Sequence, residues 1–186
     1  MDIFDIISSR RSIKKYTDRE ISNEAIGQLL EIAVQAPNHR MTEPWRFYVM
    51  GPESRAGFGA VLGARKAKRV DETDAAEQVI RKVEDSHRTL PAMLAVSMTV
   101  DENPEIREED YASTFMAIQN LCLAACAMGL GTHVKSGAVM DDPTARAAIG
   151  VGEGERVVAT ISVGEPAEIP IPKGRRNASD VTTWMA

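Results

Sequence analysis

The sequence predicts an α+β fold arranged as a three-layer α/β sandwich, and two observations carry that prediction. Segments of strand character, WRFYVM at 45–50, AMLAVSMTV at 92–100 and RVVATISVG at 156–164, alternate with stretches whose apolar residues recur at helical spacing. The 186 residues, 44% hydrophobic and 26% charged, suit one domain with its own core. With no internal repeat and no low-complexity tract, residues 1–186 are read as a single domain.

Taken in order, residues 2–9 form a short amphipathic helix with Ile3, Ile6 and Ile7 on one side. A basic turn follows, carrying Arg10, Arg11, Ser12, Lys14 and Lys15. A helix spans 22–35. Ser22 can cap it, Glu24 sits in the first turn where the helix dipole favours an acid, and Ile26, Leu29, Leu30, Ala33 and Val34 share a face. Pro37 ends it. Aromatic and β-branched content makes 45–50 a strand. Gly51 and Pro52 turn the chain into two helical stretches, 53–62 and 74–86. Pro91 opens the strand at 92–100, apolar enough to lie centrally in a sheet. A long helix covers 106–128 and is stopped by Gly129 and Gly131. Residues 132–136 are a short strand or extended link. Asp141, Asp142 and Pro143 start a helix that Gly150 closes. The tail, about 166–186, holds Pro166, Pro170 and Pro172 among Ile169, Ile171, Val181 and Trp184, without periodicity. Such a segment suits a surface, including that of a partner subunit.

Charge and cysteine content exclude several classes. A net charge of −5 argues against a nucleic-acid partner, which needs a clustered positive field; a local cationic pocket for one small phosphate stays compatible. Asp2 and Asp5 interrupt the apolar start, unlike a secretory leader. The apolar stretch 115–130 carries Gln119 and Asn120 at its centre, too polar for a membrane span. The expected location is the cytoplasm, with no membrane partner. Cys122 and Cys126 share a helical face, but zinc needs two more ligands, and His39, His87 and His133 stand in no recognised spacing. No metal is expected, and both cysteines are read as buried core thiols.

RRSIKKY at 10–16 places four cations and a hydroxyl within seven residues. Arginine offers a planar fork, serine a donor and lysine a movable charge, so the segment can hold a phosphate; it can equally be a solvated basic turn. GLGTHVKS at 129–136 superficially resembles a phosphate-binding loop. Val134 stands where glycine should precede the lysine, and the segment follows a helix, so a nucleotide-triphosphate site is rejected. Lys135, Ser136 and Gly137 could still present a cation, a hydroxyl and bare backbone to a ligand. APNHRMTEPW at 36–45 is a polar loop between two prolines, with no partner for a nucleophilic triad. GVGEG at 150–154 is a turn.

In this order, RRSIKKY, APNHRMTEPWRFYVM, AACAMGLGTHVKSG, DDPTARAAIG, VVATISVGEP and PKGRRNASDVTTW resemble the nitroreductase family over nearly the whole chain. The short chain and the APNH loop are most similar to its small NAD(P)H nitroreductase subfamily. The resemblance implies a central, mostly antiparallel sheet and an intertwined homodimer. Each tail would extend the partner's sheet, and two FMN sites would lie at the interface, built from both chains. It further implies that Arg10, Arg11 and Ser12 bind FMN, with Arg10 and Ser12 near the phosphate and ribityl chain. Lys14 would lie at the flavin pyrimidine edge as electrostatic support for the reduced ring. Gln35 and His39 would reach FMN from the other subunit, and Val134, Lys135 and Ser136 would complete the site. Arg175 or Arg176 would reach the phosphate. NADH or NADPH would contact the end of the long helix at Ala124, Ala125, Cys126, Ala127, Met128 and Gly129.

Two departures stand out. Val134 occupies a place where related small members can have tryptophan, which implies a reshaped acceptor pocket. The cluster Arg65, Lys66, Lys68 and Arg69 could attract the phosphates of NADPH, although a solvated helix face is the simpler reading. The implied reaction is ping-pong: NAD(P)H transfers hydride to flavin N5, NAD(P)+ leaves, and a nitroaromatic, quinone or related acceptor takes the electrons. No side-chain acid or base is required for the first half, in keeping with the absence of a triad or carboxylate pair. The alternative is a non-catalytic flavin-binding or sensor protein on the same fold.

Overall fold

In the computed structural model, which describes residues 2–185, the most apolar strands pair at the centre. β2 (Ala92–Thr99) and β4 (Glu155–Gly164) are flanked by β1 (Trp45–Val49) and β3 (Gly131–Lys135) in a four-stranded sheet of order β1-β2-β4-β3. Every pairing is antiparallel. β2 is buried along all but its last residue, which is why its sequence shows no polar alternation.

Helices cover both faces. On one, α2 (Asn23–Ala33) and α5 (Pro104–Ala127) bring Ile26, Leu29, Ile118 and Leu121 onto Leu94, Val96, Ile161 and Val163. On the other, α3 (Pro52–Ala67), α6 (Pro143–Ile149) and a 3-10 turn at Ala138–Asp141 bring Phe58, Val139, Met140 and Ile149 onto Met93, Ala95 and Val157. α4 (Thr73–Arg88) packs along α3, and α1 (Ile3–Ser9) lies against α5. The result is the three-layer sandwich that the sequence predicts.

Helix starts follow the capping oxygens. Asp2, Ser22, Asn103 and Asp142 accept from backbone amides of the first turns of α1, α2, α5 and α6. Other boundaries shift. α2 ends at Ala33, several residues before Pro37. Pro52 does not turn the chain but opens α3, where its missing N–H leaves no bond unmade. α3 and α4 run longer than the stretches 53–62 and 74–86, and they cross closely because α3 carries small residues. A Cβ on Gly63 would stand 2.7 Å from Ile80 Cα. Gly129 and Gly150 close α5 and α6 with φ of 74° and 83°, whereas Gly131 is the first residue of β3 rather than a helix stop. From Ala167 the chain lies extended and exposed, broken by one 3-10 turn at Ala178–Val181. Ile171 and Trp184 there are 89% and 91% exposed. Among the described residues, no helix is long and apolar enough to cross a membrane.

Candidate functional site

The segment after α1 is held as an extended strand against the edge of the sheet. Ile13 N–H donates to the Thr132 carbonyl at 2.9 Å, and Ser12 bridges Thr132 in parallel. Further on, Thr17 N–H donates to the Glu165 carbonyl at 2.9 Å and Ala167 N–H to the Lys15 carbonyl at 3.0 Å. Side chains of an extended chain alternate, so one apolar residue suffices to orient this one. Ile13 points inward, 3% exposed, and its neighbours Ser12 and Lys14 point out. Ile13 lies directly over Gly131, where a Cβ would fall 2.4 Å from Ile13 Cγ1. Tyr16 anchors the end of the segment, its hydroxyl donating to the Ile13 carbonyl at 2.8 Å. The basic segment and β3, distant in sequence, thus form one wall.

Against this wall lies a cavity of about 650 Å³, lined by Arg10, Arg11, Ser12, Lys14 and Lys15 on one side and by Glu168, Ile171 and Arg175 on the other. A smaller cavity of about 230 Å³ continues past Arg10 and Arg11 toward Cys122, Cys126 and Gly129 at the end of α5. Among the described residues, Arg10, Lys14, Lys135 and Arg175 form no ion pair. Lys15 is different: its Nζ lies 2.6 Å from Glu168. So is Arg11, whose Nη1 donates to the Ser8 and Arg10 carbonyls at 2.7 and 3.0 Å and closes the end of α1.

Alternation along β3 sorts the remaining candidates. Val134 packs into the core under α2 and α5. Lys135, half-buried, faces α4, where its Nζ stands 3.3 Å from His87 Nε2. Burial, then the nearby Lys66 and Lys14 ammonium groups, pull the Lys135 pKa down. Burial pulls both His87 and His133 below the ordinary imidazole value; the Val83 carbonyl partly offsets this at His87, where Lys135 and Lys66 add to the lowering, as Lys135 and Lys14 do at His133. The unfolded chain therefore binds more protons than the folded one below about pH 6.5, and stability present above that pH is lost on acidification. The urea midpoint is expected to fall between pH 7.5 and 5.5, with a smaller fall in His133→Gln. A flat wild-type profile would contradict the assignment.

The Nitroreductase family model matches residues 7–165. The chain belongs to the nitroreductase family. It is 37% identical over 182 residues to a Bacillus subtilis protein named "Putative NAD(P)H nitroreductase YfhC", covering 97% of this chain and 93% of that one. The crystal structure of a nitroreductase-like family protein from Bacillus cereus superposes with a TM-score of 0.86 at 28% identity, covering 100% of this chain and 96% of the other. A Bacteroides fragilis nitroreductase with bound FMN shares the fold, with a TM-score of 0.77 at 22% identity and full coverage of both chains.

In this nitroreductase-family chain, Gln35 and His39 stand outside the cavity. Gln35 Nε2 donates to the Glu31 carbonyl at 3.5 Å, and exposed His39 lies 3.0 Å from Glu109 beside Arg40. Their loop is tightly bent: Asn38 Oδ1 accepts from Thr42 Oγ1 and from Glu43 N–H, and Met41 and Glu43 hold positive φ. At the end of α5, Ala125 is fully buried, Ala124 and Cys126 are half-buried, and Ala127, Met128 and Gly129 are exposed. Cys122 is a core thiol as expected, but Cys126 is only half-buried, its Sγ 3.6 Å from Ser9 Oγ where α1 crosses α5. No metal-binding cluster occurs among the described residues. Ser136 is exposed just beyond β3, and Arg175, unlike Arg176, lines the larger cavity.

The sequence placed Lys66 only in a basic cluster on a helix face and weighed His87 only as a zinc ligand, so neither was read as part of this site. The basic run on α3 divides: Arg65 lies 4.0 Å from Asp142, while Lys66 lies near Lys135 and His87. A signal for His87 was present, since Ile80, Val83 and His87 fall at helical spacing and mark a histidine in a core position.

Proposed function

We propose that this chain is an FMN-dependent oxidoreductase that takes electrons from NADH or NADPH and passes them to nitroaromatic, quinone or related acceptors in two separate half-reactions. The observation that carries the reading is the group of unpaired cations. Arg10, Lys14 and Arg175 face one cavity, with the Ser12 hydroxyl among them and Lys135 on the adjoining strand. The cavity also carries the Glu168 carboxylate, but Lys15 takes it up at 2.6 Å, so the charges of Arg10, Lys14 and Arg175 fit a ligand that brings its own negative charge, as a flavin phosphate does. FMN, when bound, would supply the redox chemistry, accepting two electrons from the nicotinamide and yielding them to the acceptor. Arg10 and Ser12 would hold the phosphate, and Arg175 would close over it from the tail. Lys14 and Lys135 would favour negative charge at the pyrimidine edge on reduction. The exposed end of α5 at Ala127–Gly129 would receive the nicotinamide nucleotide. The naming of YfhC as an NAD(P)H nitroreductase and the FMN bound by the Bacteroides fragilis protein support the same reading.

The site also argues for a homodimer. Gln35 and His39 do not meet the cavity of their own chain, so a flavin contact from them requires a second copy. The exposed apolar side chains of α1 and the tail, Phe4, Ile171 and Trp184 foremost, supply surface for that contact. Under anaerobic conditions, adding NADH or NADPH to FMN-loaded protein should bleach the flavin absorbance, and a quinone or nitroaromatic should restore it. Steady-state double-reciprocal lines should be parallel. Colour that persists with both nucleotides would favour the sensor reading instead.

A further inference from the structure

His87 occupies a helix position that is 6% exposed, yet both ring nitrogens have partners. Nδ1 lies 2.7 Å from the Val83 carbonyl, one turn back on α4. A carbonyl only accepts, so Nδ1 carries the proton. Nε2 is left with a lone pair, and 3.3 Å away stands Lys135 Nζ, which only donates. The two partners therefore fix the tautomer between them. α3 locks the ring in place: a Cβ on Gly59 would stand 2.8 Å from His87 Cβ, and the Phe58 ring lies 6.3 Å away, tilted by 58°.

We propose that His87 is a positioning residue whose Nε2 lone pair holds the Lys135 ammonium in place beside Lys14 before an anionic ligand arrives. The inference rests on the reading that Lys135 serves the flavin. Lysine carries a long, flexible stem, and fixing it only on binding would oppose affinity. A carboxylate could fix it too, but would cancel its charge. A neutral imidazole accepts the hydrogen bond and leaves the full positive charge for the ligand. Burial first, then Lys135 on β3 and Lys66 on α3, disfavour a second proton on His87.

Asparagine and glutamine separate the two nitrogens. Asparagine reaches the position of Nδ1 and can keep the Val83 bond, whereas glutamine reaches the position of Nε2 and can present its oxygen to Lys135. The FMN dissociation constant and flavin midpoint potential are measured for wild type, His87→Gln, His87→Asn, Lys135→Met and the His87→Asn, Lys135→Met double variant. Lys135→Met and His87→Asn should each weaken FMN binding about tenfold, the effect of one hydrogen bond to a charged group. Both should lower the potential, the double variant should be no weaker than Lys135→Met, and His87→Gln should stay near wild type. If Lys135→Met binds FMN as wild type does, the reading of Lys135 fails and the inference falls with it. Should Lys135→Met weaken binding while His87→Asn does not, or should the two effects add, His87 has no positioning role and only this inference is lost. ¹⁵N NMR of the histidine rings needs no His87 variant: the Nε2 resonance should shift between wild type and Lys135→Met, and an unmoved resonance overturns the proposal.

Discussion

Arg10→Ala should weaken FMN binding by about 1.5–3 kcal/mol, the worth of a hydrogen bond to a charged group, as read by fluorescence titration. Arg10 lines both cavities and is half-buried, and among the described residues it has no ion pair to compensate its charge. Its neighbour cannot take over, because Arg11 already donates to two carbonyls at the end of α1. Arg10→Lys should recover only part of the loss, since an ammonium offers a point charge rather than a planar fork. Thermal stability should change little. Equal FMN affinity in wild type and Arg10→Ala would remove Arg10 from the site.

Gly131→Ala should destabilise the fold by about 2–3 kcal/mol in urea unfolding, the upper part of the range for overpacked cores. The added methyl would stand 2.4 Å from Ile13 Cγ1 and 2.7 Å from Ile13 Cβ. Ile13 cannot yield freely, because its own N–H is bonded to Thr132, the residue after Gly131. Relief must come from moving the basic segment off the sheet edge, so FMN affinity should fall together with stability. Combined with Ile13→Ala, the loss should be smaller than the sum of the two single changes, as for residues in direct contact. A variant within about 0.5 kcal/mol of wild type, the range typical of surface substitutions, would show that the segment is not packed in this way.

Local chemistry was legible in the sequence wherever one segment determines it. Ser22 and Asp142 announced their helices, Gly129 and Gly150 ended theirs, and the largely apolar run of β2 placed it centrally. Pairings between distant segments were not legible. Nothing near Ile13 says that a lone apolar residue among cations will lie over Gly131, and Gly131 itself reads as punctuation until its missing side chain is seen to make room. The 3-10 turn at Ala138–Asp141 was hidden for the same reason: Val139 and Met140 fill a gap under α6 that only the assembled sheet creates. Arg10, Ser12, Lys14 and Lys135 were legible as candidates by residue type. The division of β3 into a Val134 that packs under α2 and α5 and a Lys135 that faces His87 on α4 needed the strand's register. Gln35 and His39 lie outside the cavities of their own chain, a separation that their residue types do not display.

The clasp between the basic segment and residues 165–167 also bears on when the site can exist. Residues 15 and 17 bond to residues 167 and 165, closing nearly the whole polypeptide into a loop. Contacts between such distant residues form late, because the chain must be confined before they reward it. A nascent chain that has not yet reached β4 would have emerged with the cations of the basic segment but without the residues that clasp them. Cofactor capture would then belong to finished molecules, and flavin uptake during synthesis would report completion of the chain rather than its beginning.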